Sequence, residues 1–309
     1  NTFSRILEEE RSVDIDEILN AQSHPELDQC ILQSNKAVQR AAIIKYIFEQ
    51  FEYNDILDLI NLAIKEKLAR NLLILQNTKE AEIRSIEDAL DNFCQKPVGK
   101  RQLNATMATG IRVNLINEFI SENLHYIGIA KKHILMRDIN AILKHVIGEH
   151  GTMGRIGGKS AGMILANRIL RPSIRKNNEY DGIIEEVESY FIKSQVFARF
   201  IQYNKLEECY NLKYLEHEEI EKIQSSLYGR IIEGGFPPFI EEQLKELLST
   251  MAGSPIIVRS SSLLEDNIGF PFCGKYDSYF ISNRGKLDER YDELTKAIKR
   301  VYFSIYKLS

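Results

Sequence analysis

Apolar residues recur at helical spacing through the first half of the chain. Asp14 precedes Ile15, Ile18 and Leu19; Asn35 precedes Val38, Ala41, Ala42, Ile44 and Ile47; Asn54 precedes Ile56, Leu57, Leu59 and Ile60. A short polar side chain ahead of an apolar stripe starts a helix, because its oxygen accepts a first-turn N–H that has no partner within the helix. Leu62, Ile64, Leu68, Leu72 and Leu75 continue the pattern, and Glu80 to Phe93 forms a shorter amphipathic piece. Pro97 and Gly99, beside three basic residues, mark 96–104 as a linker. Leu115, Ile116, Phe119, Ile120, Leu124 and Ile127 predict one long core helix over 111–130, and 138–150 reads as another helix. Residues 1 to about 150 are therefore expected to be almost wholly helical. Paired helices of this length suggest a stacked array, but no period repeats, so a scaffold or partner-contact role is expected.

The second half reads differently. A glycine-rich turn, 154–158, runs into a helix carrying Ala161, Ile164, Leu165 and Ile169, with Arg168 on another face and a stop at Arg171-Pro172. Glu188 to Ile192 predicts a strand, and Ser194 caps the helix that follows. Helices are expected over 217–232, from Pro238 or Phe239 through Leu248 and over 287–308. Ile256, Ile257 and Val258 form a β-branched run expected as a buried strand. Helices interleaved with short strands argue an α+β or α/β domain.

Composition narrows this little. The chain has 309 residues, enough for two domains and ample core, and its apolar and charged fractions are ordinary. A net charge of −4 gives no support to a nucleic-acid surface. No apolar run is long enough to span a membrane. Cys30, Cys94, Cys209 and Cys273 are far apart and read as reduced thiols of a cytoplasmic protein. His145 and His150 have the wrong spacing for a helical zinc pair. The chain opens Asn1-Thr2-Phe3 without methionine or a signal-like stretch, so a piece of a longer protein is expected.

Two places carry candidate chemistry. Directly after the 256–258 run come Arg259, Ser260, Ser261 and Ser262, then Glu265 and Asp266, then Gly269, Gly274 and Lys275. A guanidinium beside small donors at a strand end suits a bound anion, since arginine offers paired planar N–H groups to phosphate oxygens. Taken alone, the stretch reads slightly better as a strand ending in a polar turn, with Arg259 paired to Glu265 or Asp266. Lys159 is the second place. It sits in the first turn of a helix, where the dipole favours anions, so a cation there is unusual unless something negative is bound. The P-loop G-x-x-x-x-G-K-[ST] fits Gly158-Lys159-Ser160, but its first glycine falls at Met153 and no strand is expected before it. The P-loop is rejected.

Together these stretches resemble the ATP-binding domain of the pyruvate phosphate dikinase and phosphoenolpyruvate synthase family. Gly157-Gly158-Lys159-Ser160-Ala161 is similar to the family's first glycine-lysine motif. Val258-Arg259-Ser260-Ser261, Glu265-Asp266 and Phe272 to Phe280 resemble its second, V-R-S-S-A-x-x-E-D followed by F-A-G-x-x-[DE]-[ST]. Cys273 stands where alanine is usual, Ser278 replaces threonine, and Lys275-Tyr276 replaces a commoner glutamine pair. The resemblance covers about 139–308 and lies close to a subgroup with an extra helical region in front. It implies an α+β chain: a helical region over 1–135, then the first part of an ATP-grasp-like domain over 136–309.

Carried over by residue, Lys159 and Arg259 would contact the ATP phosphates, Gly158 and Ser260 would join them in binding the nucleotide, and Gly274 and Ser278 would line the phosphate or nucleoside pocket. Magnesium would bridge the phosphates, with its ligands mostly outside this chain. Glu265 and Asp266 could orient Arg259, help hold metal-bound water, or simply be solvated. The implied reaction has ATP phosphorylate a histidine on a separate domain, which passes the group to pyruvate or another acceptor on an acceptor-binding domain. No catalytic residue or metal ligand is expected within these residues, and the fragment alone is expected to be inactive. The alternative is a regulatory or scaffolding protein that keeps the fold without catalysis, binding a partner through its helical region.

Overall fold

In the computed structural model the described residues are 36–78, 82–96, 103–149, 155–176, 187–251, 253–261 and 276–306. The chain divides into two compact units, 1–111 and 112–309.

The first unit contains α1 (Lys36–Gln50), α2 (Tyr53–Asn77), α3 (Ile83–Gln95) and the start of α4 (Ala105–Phe119). α2 packs against α1 and α3. Ile56, Ile64, Ala69 and Leu72 of α2 meet the apolar stripe of Ile83, Ile86, Leu90 and Phe93 on α3, all buried. Asp14, Asn35 and the linker core at 97–102 lie outside the described residues.

The second unit continues with α5 (Leu124–His133), α6 (Met136–Leu143), β1 (Val146–Ile147), α7 (Gly158–Lys176), β2 (Phe191–Ile192), α8 (Ser194–Tyr203), a 3-10 stretch (Glu207–Tyr214), α9 (His217–Glu233), α10 (Pro238–Thr250), β3 (Ile256–Arg259), β4 (Ser278–Ile281) and α11 (Leu287–Ser304). It joins helices to two small sheets, in line with the α+β expectation. β1 and β2 pair in parallel, Val146 with Phe191 and Ile147 with Ile192, so the chain between them crosses over through α7. β3 and β4 pair antiparallel, from Ile256 opposite Ile281 to Arg259 opposite Ser278. The core gathers Phe200, Ile201 and Leu206 against Ile231, Phe236, Ile240, Leu244 and Leu248, with Leu294 and Ile298 of α11 closing it.

Five expectations are corrected here. The long helix over 111–130 is two, α4 and α5. Ser121 Oγ accepts the Asn123 N–H at 3.3 Å, and Asn123 Oδ1 caps α5 by accepting the Tyr126 N–H at 3.0 Å. The helix expected through His150 ends at Leu143, and β1 follows because Val146 and Ile147 find a parallel partner distant in sequence. β1 ends well short of Gly154 and position 153 is methionine, so the P-loop pattern is still not met. Pro172 does not stop α7; it lies inside the helix near its end, where losing one backbone bond costs least cooperativity. The 256–258 run is not fully buried, since Ile257 is 40% exposed. Ser194 is the first residue of α8, not its cap; Lys193 holds the cap position.

A buried polar lock fixes the β3–β4 hairpin. Asn283 adopts a left-handed backbone (φ 52°), and its Nδ2 donates to the Met251 carbonyl at 2.6 Å and the Ser254 carbonyl at 2.8 Å. Its Oδ1 accepts from Arg290 Nε at 2.8 Å, and Arg290 also donates to the Leu248 carbonyl. The lock ties the end of α10, the entry to β3, the exit from β4 and α11 together. The two bonds to the guanidinium offset part of the cost of burying an arginine.

Candidate functional site

The glycine turn is held on three sides. Arg155 Nε donates to the Asn117 carbonyl at 2.8 Å and its guanidinium pairs with Glu122 at 3.0 Å. The Ile156 N–H reaches the Phe119 carbonyl at 3.3 Å, which ties the turn to the end of α4. Tyr126 of α5 donates its hydroxyl to the Ala161 carbonyl at 2.9 Å, and burial pushes that phenol's pKa up. The third side is the segment just after β3. Ser261 Oγ accepts the Ser160 N–H at 3.0 Å and stands 2.8 Å from Ser160 Oγ. Gly157 has φ +83°, and a Cβ there would come within 1.7 Å of the Ser261 carbonyl oxygen. Only glycine fits that approach and that backbone together.

The two stretches singled out in the sequence are thus joined, at residues 101 apart in the chain. Gly158 and Lys159 are the first two residues of α7 and are half-buried. Arg259 ends β3 and faces solvent, and Ser260 follows it, half-buried. Ser278 begins β4 as the cross-strand partner of Arg259, so guanidinium and hydroxyl share one outward face of the hairpin. Ile257 and Phe280 are the next pair on that face, and Phe280 is 80% exposed. Gly274, Glu265 and Asp266 lie outside the described residues. One first-turn N–H of α7, that of Ser160, goes to Ser261 instead of an anion.

Sequence reasoning counted Ser261 only as one of three hydroxyls; its two bonds make it the latch between the stretches. The signal was a glycine pair and a serine triplet, but nothing local says which serine docks. Phe280 was read only as motif, though the alternation in β4 puts it on the exposed face. Among the described residues no cluster of three or more His, Cys, Asp or Glu could hold a metal. No helix among them is long and apolar enough to cross a membrane.

A glycine turn opening a helix, latched to the segment that follows an arginine-ended strand, is an arrangement of an α+β domain that suits an anion. The family model described as pyruvate phosphate dikinase, AMP/ATP-binding domain, matches residues 153–309, and the chain belongs to that family. Nucleotide binding of the dikinase type follows for this part of the chain. No curated protein and no solved structure matches the chain.

Proposed function

We propose that the chain binds ATP where the α7 turn meets the β3–β4 hairpin, as the nucleotide-binding part of a dikinase-type phosphotransferase. In that protein ATP phosphorylates a histidine on a separate domain, and the phosphoryl group passes to pyruvate or another acceptor. The observation that carries the reading is the Ser160–Ser261 contact. It bounds the separation of the Lys159 and Arg259 Cα atoms at roughly 18 Å, short enough for two long side chains to converge on one phosphate chain. Phosphoryl transfer asks a protein chiefly for positioning and for charge to offset the phosphates. Lys159 and Arg259 supply that charge; Gly158, Ser260 and Ser278 supply close backbone and small donors; Gly274 keeps the lining role its motif implies.

Magnesium would offset charge between the phosphates when bound. Its ligands are sought outside the described residues. The region 1–135 is assigned scaffolding or partner contact and 136–309 the nucleotide, in a cytoplasmic protein. The test is ATP affinity by calorimetry for the parent chain, Lys159→Ala and Arg259→Ala. Losing one charge-assisted phosphate contact costs about 1.5–3 kcal/mol, so each variant should bind roughly ten- to a hundredfold more weakly. Equal binding by both variants refutes the assignment. ATP binding without transfer to a histidine in the longer protein favours a regulatory role.

A further inference from the structure

A cleft of about 980 Å³ lies between α6, α7 from Met163 to Pro172 and the segment entering β2. None of Gly158, Lys159, Arg259, Ser260 or Ser278 lines it. β1 and β2 run parallel, and the cleft is lined by His145, just before β1, and by Val187, Glu188, Ser189 and Phe191, at the entry to β2. On α7 the cleft takes Ile164, Asn167, Arg168 and Arg171, one to three turns below Lys159.

The lining is cationic over an apolar floor. Arg137, Arg168 and Arg171 face it with His133 and His145, against two acids, Asp138 and Glu188. Asp138 is already engaged: Oδ1 stands 3.3 Å from Arg168 Nε, and Oδ2 accepts the Leu135 N–H at 2.8 Å. Both members of that pair are only 13% exposed, so the Arg168 guanidinium is held in place at the cleft wall. Glu188 Oε1 accepts the Tyr190 hydroxyl at 3.2 Å, and Tyr190 stacks near His145 at 4.8 Å. Ile142, Ile164 and Phe191 are buried beneath. Arg137 and Arg171, at the rim, face solvent. Concave apolar surface with a few convergent charged groups is the make-up of a small-molecule site, and the volume suits one such molecule.

We propose that this cleft is a second ligand site, for a small organic anion carrying a carboxylate or phosphate head on an apolar body. The head meets the arginine rim, where planar N–H pairs match either oxyanion, and the body covers the isoleucine and phenylalanine floor. The proposal does not depend on the nucleotide reading. The test titrates the full chain by calorimetry with phenyl phosphate, benzoate and, as the uncharged control, phenol. At least one anion should bind tenfold or more tightly than phenol, and their order identifies the head. Arg137→Gln/Arg171→Gln should weaken that anion at least tenfold, Arg137→Lys/Arg171→Lys should weaken it less, and Lys159→Ala should leave it unchanged. Both arginines are exposed, so the variants are expected to fold, which circular dichroism checks. Equal affinity for phenol, an unaffected arginine double variant, or loss of the anion in Lys159→Ala would each overturn the proposal. ATP affinity in the arginine double variant, expected to match the parent, keeps the two sites distinguishable.

Discussion

Replacing Gly157 with alanine probes the contact between the turn and the strand most directly. The backbone there has φ +83°, which costs an L-residue about 1–2 kcal/mol. The new Cβ would fall 1.7 Å from the Ser261 carbonyl oxygen and 2.6 Å from its Oγ. A carbonyl cannot swing aside as a side-chain tip can, so the turn has to separate from β3. That movement breaks both Ser160–Ser261 contacts, at about 0.5–1.5 kcal/mol each. The sum is roughly 3 kcal/mol, enough to weaken ATP binding about a hundredfold. It would lower the melting transition of the 112–309 unit by roughly 6–12 °C. Displacement of a fluorescent ATP analogue and differential scanning calorimetry read the two effects. Ser261→Ala removes the bonds without the clash and should show a smaller shift in both. Parent-like binding and melting in Gly157→Ala would show that turn and strand are not in contact, and the nucleotide site proposed where they meet would fall with it.

Four further outcomes are expected. Asn283→Ala removes three buried hydrogen bonds and strands the buried Arg290, so urea unfolding should report a loss of about 3 kcal/mol or more. Tyr126→Phe should cost about 1 kcal/mol by freeing the Ala161 carbonyl. Tyr302→Phe should be neutral or slightly stabilising, because the Tyr302 hydroxyl is buried without a hydrogen-bond partner among the described residues. Burial pushes Tyr279 and Tyr291 up to about 12 and Cys209 up to about 11, each above its unfolded value of 10.0 or 9.0. Because the unfolded chain releases these protons first, their contribution is intact below pH 9 and is lost as pH rises through 11 and 12. Denaturant midpoints from pH 8 to 12 should fall over that window, less steeply above pH 10 in Tyr279→Phe.

Much of the site was legible because its chemistry is local. Lys159 in a helix first turn conflicts with the helix dipole, and a glycine pair ahead of it signals close backbone approach. Arg259 directly after a β-branched run announces a charged strand end. What eluded sequence reasoning depends on partners far along the chain. The Val146–Ile147 strand exists only because Phe191 and Ile192 lie beside it, and nothing near it in sequence forbids continuing the helix. The break at 121–123 turns on two small side chains bonding backbone, which competes with helix by a margin too small for periodicity to register. Pro172 reads as a stop, yet near a helix end the missing N–H is cheap. The cationic cleft was invisible for the same reason as β1: α6, α7 and the entry to β2 are brought together only by the crossover.

An isolated pair of strands is marginal in water. The ribbon bearing Arg259 persists because an amide at its far end, roughly 10 Å along the strand, grips two carbonyls and a guanidinium. The aim of one arginine is therefore inherited from another, Arg290, which is buried. A defect in nucleotide handling can begin at a residue with no nucleotide near it, and repairing the ribbon's anchor would restore the distant guanidinium without touching it.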